Sequence, residues 1–150
     1  MRLRNPSRRG ASAVEAAIVY PVALFFVLGL VVGAMGVFRY QETAALAREA
    51  ARYASVHGTS YAQATGKSAA TAQDVYNNAI APKAVGLDPS KLTYSVTWNQ
   101  SNKPQETVIV NGNVTYVTNT VTVTVTYNWI PEVYLGGVTL TSTSVAQMAF

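Results

Sequence analysis

From Ala16 to Phe38 the chain runs 23 residues without a charge. Wound as a helix, that run is about 35 Å long, enough to cross a hydrocarbon core of about 30 Å. Arg2, Arg4, Arg8 and Arg9 precede it and Arg39 follows it. Basic residues are retained on the cytoplasmic side. The asymmetry therefore predicts a cytoplasmic N-terminus, one membrane span, and residues 40–150 on the far side. A cleaved secretory signal is the rival reading. Its apolar core is ~7–15 residues and is followed by a small-residue cleavage site. This run is longer, and only Ala34 and Gly36 offer a weak match to such a site. Ser7-Arg8-Arg9 has the paired arginines of a twin-arginine signal but is followed by Ala and Ser where bulky apolar residues are wanted.

The net charge of +4 at first suggests a nucleic-acid partner, but its distribution excludes one. Beyond Arg39, six basic residues (Arg48, Arg52, Lys67, Lys83, Lys91, Lys103) balance six acidic ones (Glu42, Glu49, Asp74, Asp88, Glu106, Glu132). The excess sits in the first nine residues and reads as a topology signal rather than a phosphate-binding face. The chain has no cysteine, which removes disulfide frameworks and thiolate metal sites.

Residues 1–9 read as a disordered basic tail, with Gly10 separating it from a helix over Ala11 to Val56. Within the apolar run, Pro21 should kink that helix or loosen one turn. Gly29 and Gly33 form a small-xxx-small spacing that permits close helix–helix approach in lipid. Past the span, Gln41 to Val56 is rich in alanine and free of Gly and Pro, so the helix continues outside the membrane. Ala44, Ala47, Ala51 and Ala54 fall on one stripe, Glu49 and Arg52 stand at pairing distance, and Gly58 is a stop. Thr59 to Ser68 reads as a loop and Ala69 to Ala81 as a second helix. That helix carries Ala72, Val75, Tyr76, Ala79 and Ile80 on one side, and Pro82 ends or kinks it. Gly86-Leu87-Asp88-Pro89 is a turn.

The period then changes to two. Leu92 to Trp98 is a strand. Thr107 to Val110 and Val114 to Val117 flank Asn111-Gly112-Asn113 as a hairpin. Thr120 to Trp129 is the clearest strand, with Val121, Val123, Val125, Tyr127 and Trp129 on one face and threonines on the other. So long an apolar strand belongs inside a sheet. Val138 to Ala149 is the last strand, and its Ser and Thr residues obscure which face is buried. The fold class is α+β: a long N-terminal helix, a second helix, and an antiparallel sheet of three to five strands covered by the two helices.

Sites for chemistry are scarce. His57, the sole histidine, stands next to Gly58 at the predicted helix end and suits a cap on the last carbonyls. The usual zinc and haem ligand sets cannot be assembled. No phosphate loop, nucleophile elbow or His-Glu-x-x-His is present. Asn99-Gln100-Ser101 and Asn113-Val114-Thr115 match the short glycosylation pattern. The expectation is no enzyme, no catalytic residue, no cofactor and no metal.

Arg9-Gly10-Ala11-Ser12-Ala13-Val14-Glu15 followed by a long apolar run resembles a type IV prepilin leader, with Pro21 in the first half of the helix. More closely, Arg8 to Pro21, together with Ala47-Arg48-Glu49-Ala50-Ala51-Arg52-Tyr53-Ala54, resembles the TadE-like family, the minor pseudopilins of tight-adherence (Flp-type) pilus machinery. The closing strand fits that family's usual end. The resemblance implies a pilin-like fold in three parts: a basic cytoplasmic leader 1–10, a transmembrane and extended helix 11–56, and an extracytoplasmic α+β domain 57–150. It implies cutting between Gly10 and Ala11 by a prepilin peptidase. Read from the sequence alone, Glu15 can lie at the inner interface, still wet and near Arg8 or Arg9; the resemblance gives Glu15 and Pro21 roles in helix packing and assembly, beside the Gly29 and Gly33 spacing. It implies other pilin or pseudopilin subunits and a pilus-assembly platform as partners. The inner membrane is the implied location, with the outer domain periplasmic or extracellular and a place in a pilus if the chain is cut. One departure is that Ala16 stands where processed members carry tyrosine. The alternative is an uncleaved single-pass protein whose outer domain binds other envelope or secretion components.

Overall fold

The structure is a computed structural model that describes residues 7–131 and 136–149, without the side chains of residues 7–9 and 11. Arg2, Arg4 and Glu132 lie outside the described residues, as do the side chains of Arg8, Arg9 and Ala11. The chain divides into two compact units, Met1–Val37 and Phe38–Phe150. Helix α1, Ser7–Val56, contributes to both. It begins at Ser7, so Gly10 lies inside the helix rather than ahead of it. One glycine costs a helix only ~1 kcal/mol, too little to set the boundary. The helix also runs on through Pro21, which has no N–H to offer the carbonyl of Ala17.

In the second unit, the alanine stripe of α1 is buried as its spacing predicts. Ala47, Ala50 and Ala54 have no exposed surface, and Thr43, Ala44, Leu46 and Ala51 join them. Thr43 satisfies its buried hydroxyl on the carbonyl of Arg39, 2.9 Å away. Glu49 does not pair with Arg52. Its carboxylate accepts from Lys83 at 2.6 Å, a tertiary contact that outcompetes a weak pair along one helix.

Residues 59–65, expected to be loop, form helix α2, Thr59–Thr65. Ala62, Gln63 and Ala64 are good helix formers, and Gly66 closes the helix in the left-handed conformation at φ 70°. The next helix starts at Ala72 rather than Ala69. Thr71 caps it: its hydroxyl accepts from the Asp74 amide while the Asp74 carboxylate accepts from the Thr71 amide. This segment, α3 (Ala72–Val75), widens to a π-helical turn over Tyr76–Ile80 and tightens to a 3-10 turn over Ala81–Lys83. Pro82 explains the change, since its ring cannot fit against the carbonyl four residues back. Val75, Ala79 and Ile80 are buried. Gly86 takes φ 82° in the following turn, and Asp88 caps a 3-10 turn over Pro89–Lys91.

The strands are β1 (Leu92–Trp98), β2 (Gln105–Val110), β3 (Asn113–Thr118), β4 (Thr120–Trp129) and β5 (Val138–Gln147). They form a three-stranded antiparallel sheet in the order β1-β4-β5 and a separate two-stranded sheet of β2 and β3. The β2–β3 turn is Asn111-Gly112, with φ 52° and 80°, the left-handed pair that a two-residue hairpin turn demands. Strand β4 lies between its partners, as its apolar face requires. Val121, Val123 and Val125 are fully buried, and Tyr127 and Trp129 nearly so. The register resolves β5. Leu140, Ser142, Ser144 and Ala146 stand opposite Tyr127, Val125, Val123 and Val121 and share the buried side. Thr139, Thr141 and Thr143 face outward. Their hydroxyls meet β4 in cross-strand pairs, Thr124–Thr143 at 2.9 Å and Thr126–Thr141 at 3.1 Å.

Candidate functional site

Two places merit description, one in each unit. In the first unit, no described residue of that unit covers the apolar side chains of α1. Ile18, Tyr20, Phe25, Phe26 and Leu30 are all well exposed. The helix is long and apolar enough to cross a membrane. Exposure of this kind is favourable only against lipid or another apolar helix.

A groove of about 660 Å³ runs along this surface between Val22, Phe25, Phe26, Gly29, Leu30, Gly33 and Ala34. Its floor is Gly29 and Gly33, where an added Cβ would meet no heavy atom within 4 Å. Nothing in the described chain therefore requires glycine there. What the two glycines provide is room for a second backbone. Glu15, Val22 and Gly29 follow at seven-residue intervals, which drift only ~20° around a helix per step. Glu15 thus stands near the groove's face. It is exposed, in a shallow depression with Ser12, Ala16, Val19 and Tyr20. Pro21 does not line the groove. Gly10 is exposed with open space around it, and its bond to Ala11 lies within the helix; the side chain of Ala11 is outside the described residues.

The second place was not anticipated as a site. Tyr53, His57, Tyr61, Lys67, Ser68, Ala70, Asp74 and Asn78 line a pocket of about 520 Å³. Three rings meet at its wall: Tyr53 stacks on His57 at 4.0 Å and 16°, and Tyr61 lies tilted against His57 at 4.6 Å and 59°. The imidazole Nδ1 donates to the carbonyl of Tyr53 at 2.9 Å, the terminal cap that the sequence predicts for His57. Burial pushes the Tyr53 hydroxyl up, helped by Asp74 and then Tyr61. The Asp74 carboxyl is held below its usual range, first by the backbone N–H of Thr71 and then by its hydroxyl. The readable signal was the four-residue spacing 53, 57, 61, masked by Gly58 in its midst. The rings join the end of α1 to α2, and Ala70 N–H donates to the His57 carbonyl at 2.9 Å. The pocket holds no nucleophile paired with a base, and no group of metal-ligating residues occurs among the described residues.

Neither a curated protein nor a solved structure matches this chain. A family model does match, and it covers helix α1 from Gly10 through the membrane-length run and the groove into the buried alanine stripe: over residues 10–52 the chain is similar to TadE-like proteins.

Proposed function

We propose that this chain is a minor pseudopilin or pilus-assembly protein of a tight-adherence (Flp-type) system, anchored by one span and acting through packing rather than chemistry. The carrying observation is that the TadE-like match coincides with an apolar helix whose grooved face has no partner among the described residues of its unit. The arginines before the span hold the N-terminus in the cytoplasm. The second unit then stands outside the inner membrane. Other pilin or pseudopilin helices are the partners for the Gly29–Gly33 groove, and the assembly platform is the machinery that gathers them.

Cutting after Gly10 would give Ala11 a free amine. In lipid that charge is costly unless neutralised, and Glu15 of a neighbouring copy is the group at hand. The second reading is an uncleaved anchor whose outer unit binds another envelope or secretion component. Ala16, in the place of tyrosine, favours it. Mass spectrometry of the membrane-extracted protein separates the two, with a terminus at Ala11 marking the first and one at Met1 the second. The proposal as a whole predicts that the extracted protein co-purifies with pilin or pilus-assembly subunits. Recovery free of them, from cells that are making pili, would refute it.

A further inference from the structure

Strand β5 ends the three-stranded sheet. Among the described residues, no strand lies beyond it, and no turn or loop backbone bond reaches residues 138–147. At the other end of the sheet, α3 lies against β1: Tyr76 stacks on Tyr94 at 4.7 Å, and the Tyr94 hydroxyl donates to Gln73. Free edges are normally blunted by a charge, a proline, a bulge or a short strand. β5 has none of these. Val138–Gln147 contains no charged residue, no proline and no glycine. Its ten pairs with β4, from Trp129↔Val138 to Thr120↔Gln147, run without a break.

The strand is also complementary to itself. In an antiparallel pair centred on Ser142, Thr141 of one copy faces Thr143 of the other, twice. That repeats outward the threonine pairing that already joins β4 to β5 at 2.9 and 3.1 Å. On the same face, Val145, which is 61% exposed, meets Thr139. On the inner face Leu140 meets Ser144 and Val138 meets Ala146. No like charges oppose, and the hydroxyl and apolar rows of the first sheet continue into the second.

We propose that β5 pairs with β5 of a second copy of this chain, joining two three-stranded sheets into one of six strands. The register centred on Ser142 is part of the proposal. Confinement of both copies to one membrane, which rests on the function proposed above, would raise their effective concentration and strengthen the pair.

The chain contains no cysteine, so single thiols can be introduced into the full-length protein in detergent. Directly opposed residues of an antiparallel pair lie about 4.5–5.5 Å apart at Cα, within reach of a disulfide. Ser142→Cys should therefore give a covalent dimer on mild oxidation. Thr143→Cys alone should cross-link ~10-fold more slowly, because the two thiols sit one diagonal apart, beyond about 7 Å. A mixture of Thr141→Cys and Thr143→Cys chains should cross-link readily. Thr143→Lys, on the exposed face, should abolish the dimer while circular dichroism stays unchanged. Cross-linking of Ser142→Cys no faster than that of Thr143→Cys, or than Thr107→Cys on the separate hairpin, would overturn the proposal. Gly33→Leu tells the two surfaces apart. Persistence of the Ser142→Cys dimer in that background supports edge pairing whatever the fate of the groove. A dimer lost with Gly33→Leu and retained with Thr143→Lys would place the contact in the helix and end the β5 proposal.

Discussion

Glu15 shows how much one residue depends on its surroundings. On the helix surface it is exposed; in lipid beside a neighbour's Ala11 amine it would be half of a buried ion pair. Removing one member of such a pair typically costs ~3–5 kcal/mol, or two to three powers of ten in association. Glu15→Gln keeps size and helix propensity. It should insert normally and yet co-purify poorly with pilus-assembly partners, provided the wild type starts at Ala11. Undiminished co-purification would remove the ion pair from the mechanism. Glu49 is the contrasting case. The Lys83 hydrogen bond, and then the Lys83 charge, hold its carboxyl below the usual range. The folded pKa thus lies below the unfolded one. The pair's contribution is complete above the ordinary carboxylate range and is lost as pH falls through the folded value. With side chains 53% and 43% exposed, solvent screens the pair. Glu49→Gln should cost less than ~1 kcal/mol at neutral pH, and nothing where the carboxyl is protonated in both states. Urea melts at the two pH values check this. The sequence could not reveal the Glu49–Lys83 pair, because its partners are 34 residues apart and a nearer arginine was on offer.

At the scale of elements, what was legible followed period and punctuation. β1 and β4 begin and end where their alternation does, and Asn111-Gly112 marks its turn by its own backbone preference. The alanine stripe of α1 was legible because small residues at helical spacing have little use except close packing. Its burial predicts intolerance. Ala47 has no exposed surface, so Ala47→Leu should overpack the site and cost about 1–3 kcal/mol in a denaturant titration. Gly33→Leu, in the open groove, should leave the same titration unmoved. Where reading failed, local preference was weak or overruled. α2 is one short turn-rich helix whose polar residues suit a loop as well. The start of α1 moved because a single glycine is a mild breaker. The π-helical turn over 76–80 follows from Pro82, whose effect on the preceding turn has no signature beyond the proline itself. The His57 pocket was hidden because its three rings straddle a helix break.

For the whole molecule, the proposed orientation rests on the membrane-length helix and the arginines that precede it. The arginine asymmetry predicts that protease added outside spheroplasts digests residues 59–150 of the anchored protein. Full protection would reverse the orientation. The order of the strands has a further consequence, one of timing. β4 is the middle of the sheet, yet one of its two neighbours follows it in the chain. Met148 donates to the Asn119 carbonyl and Ala149 to that of Ser55, both at 2.9 Å, so the strand after β4 also ties the sheet back to the end of α1. A chain emerging N-terminus first therefore presents β4, with its five-residue apolar row, before the strand that completes its pairing has appeared. During that interval the most adhesive strand of the protein has a bare flank. That flank closes only when β5 has been made and has paired with it.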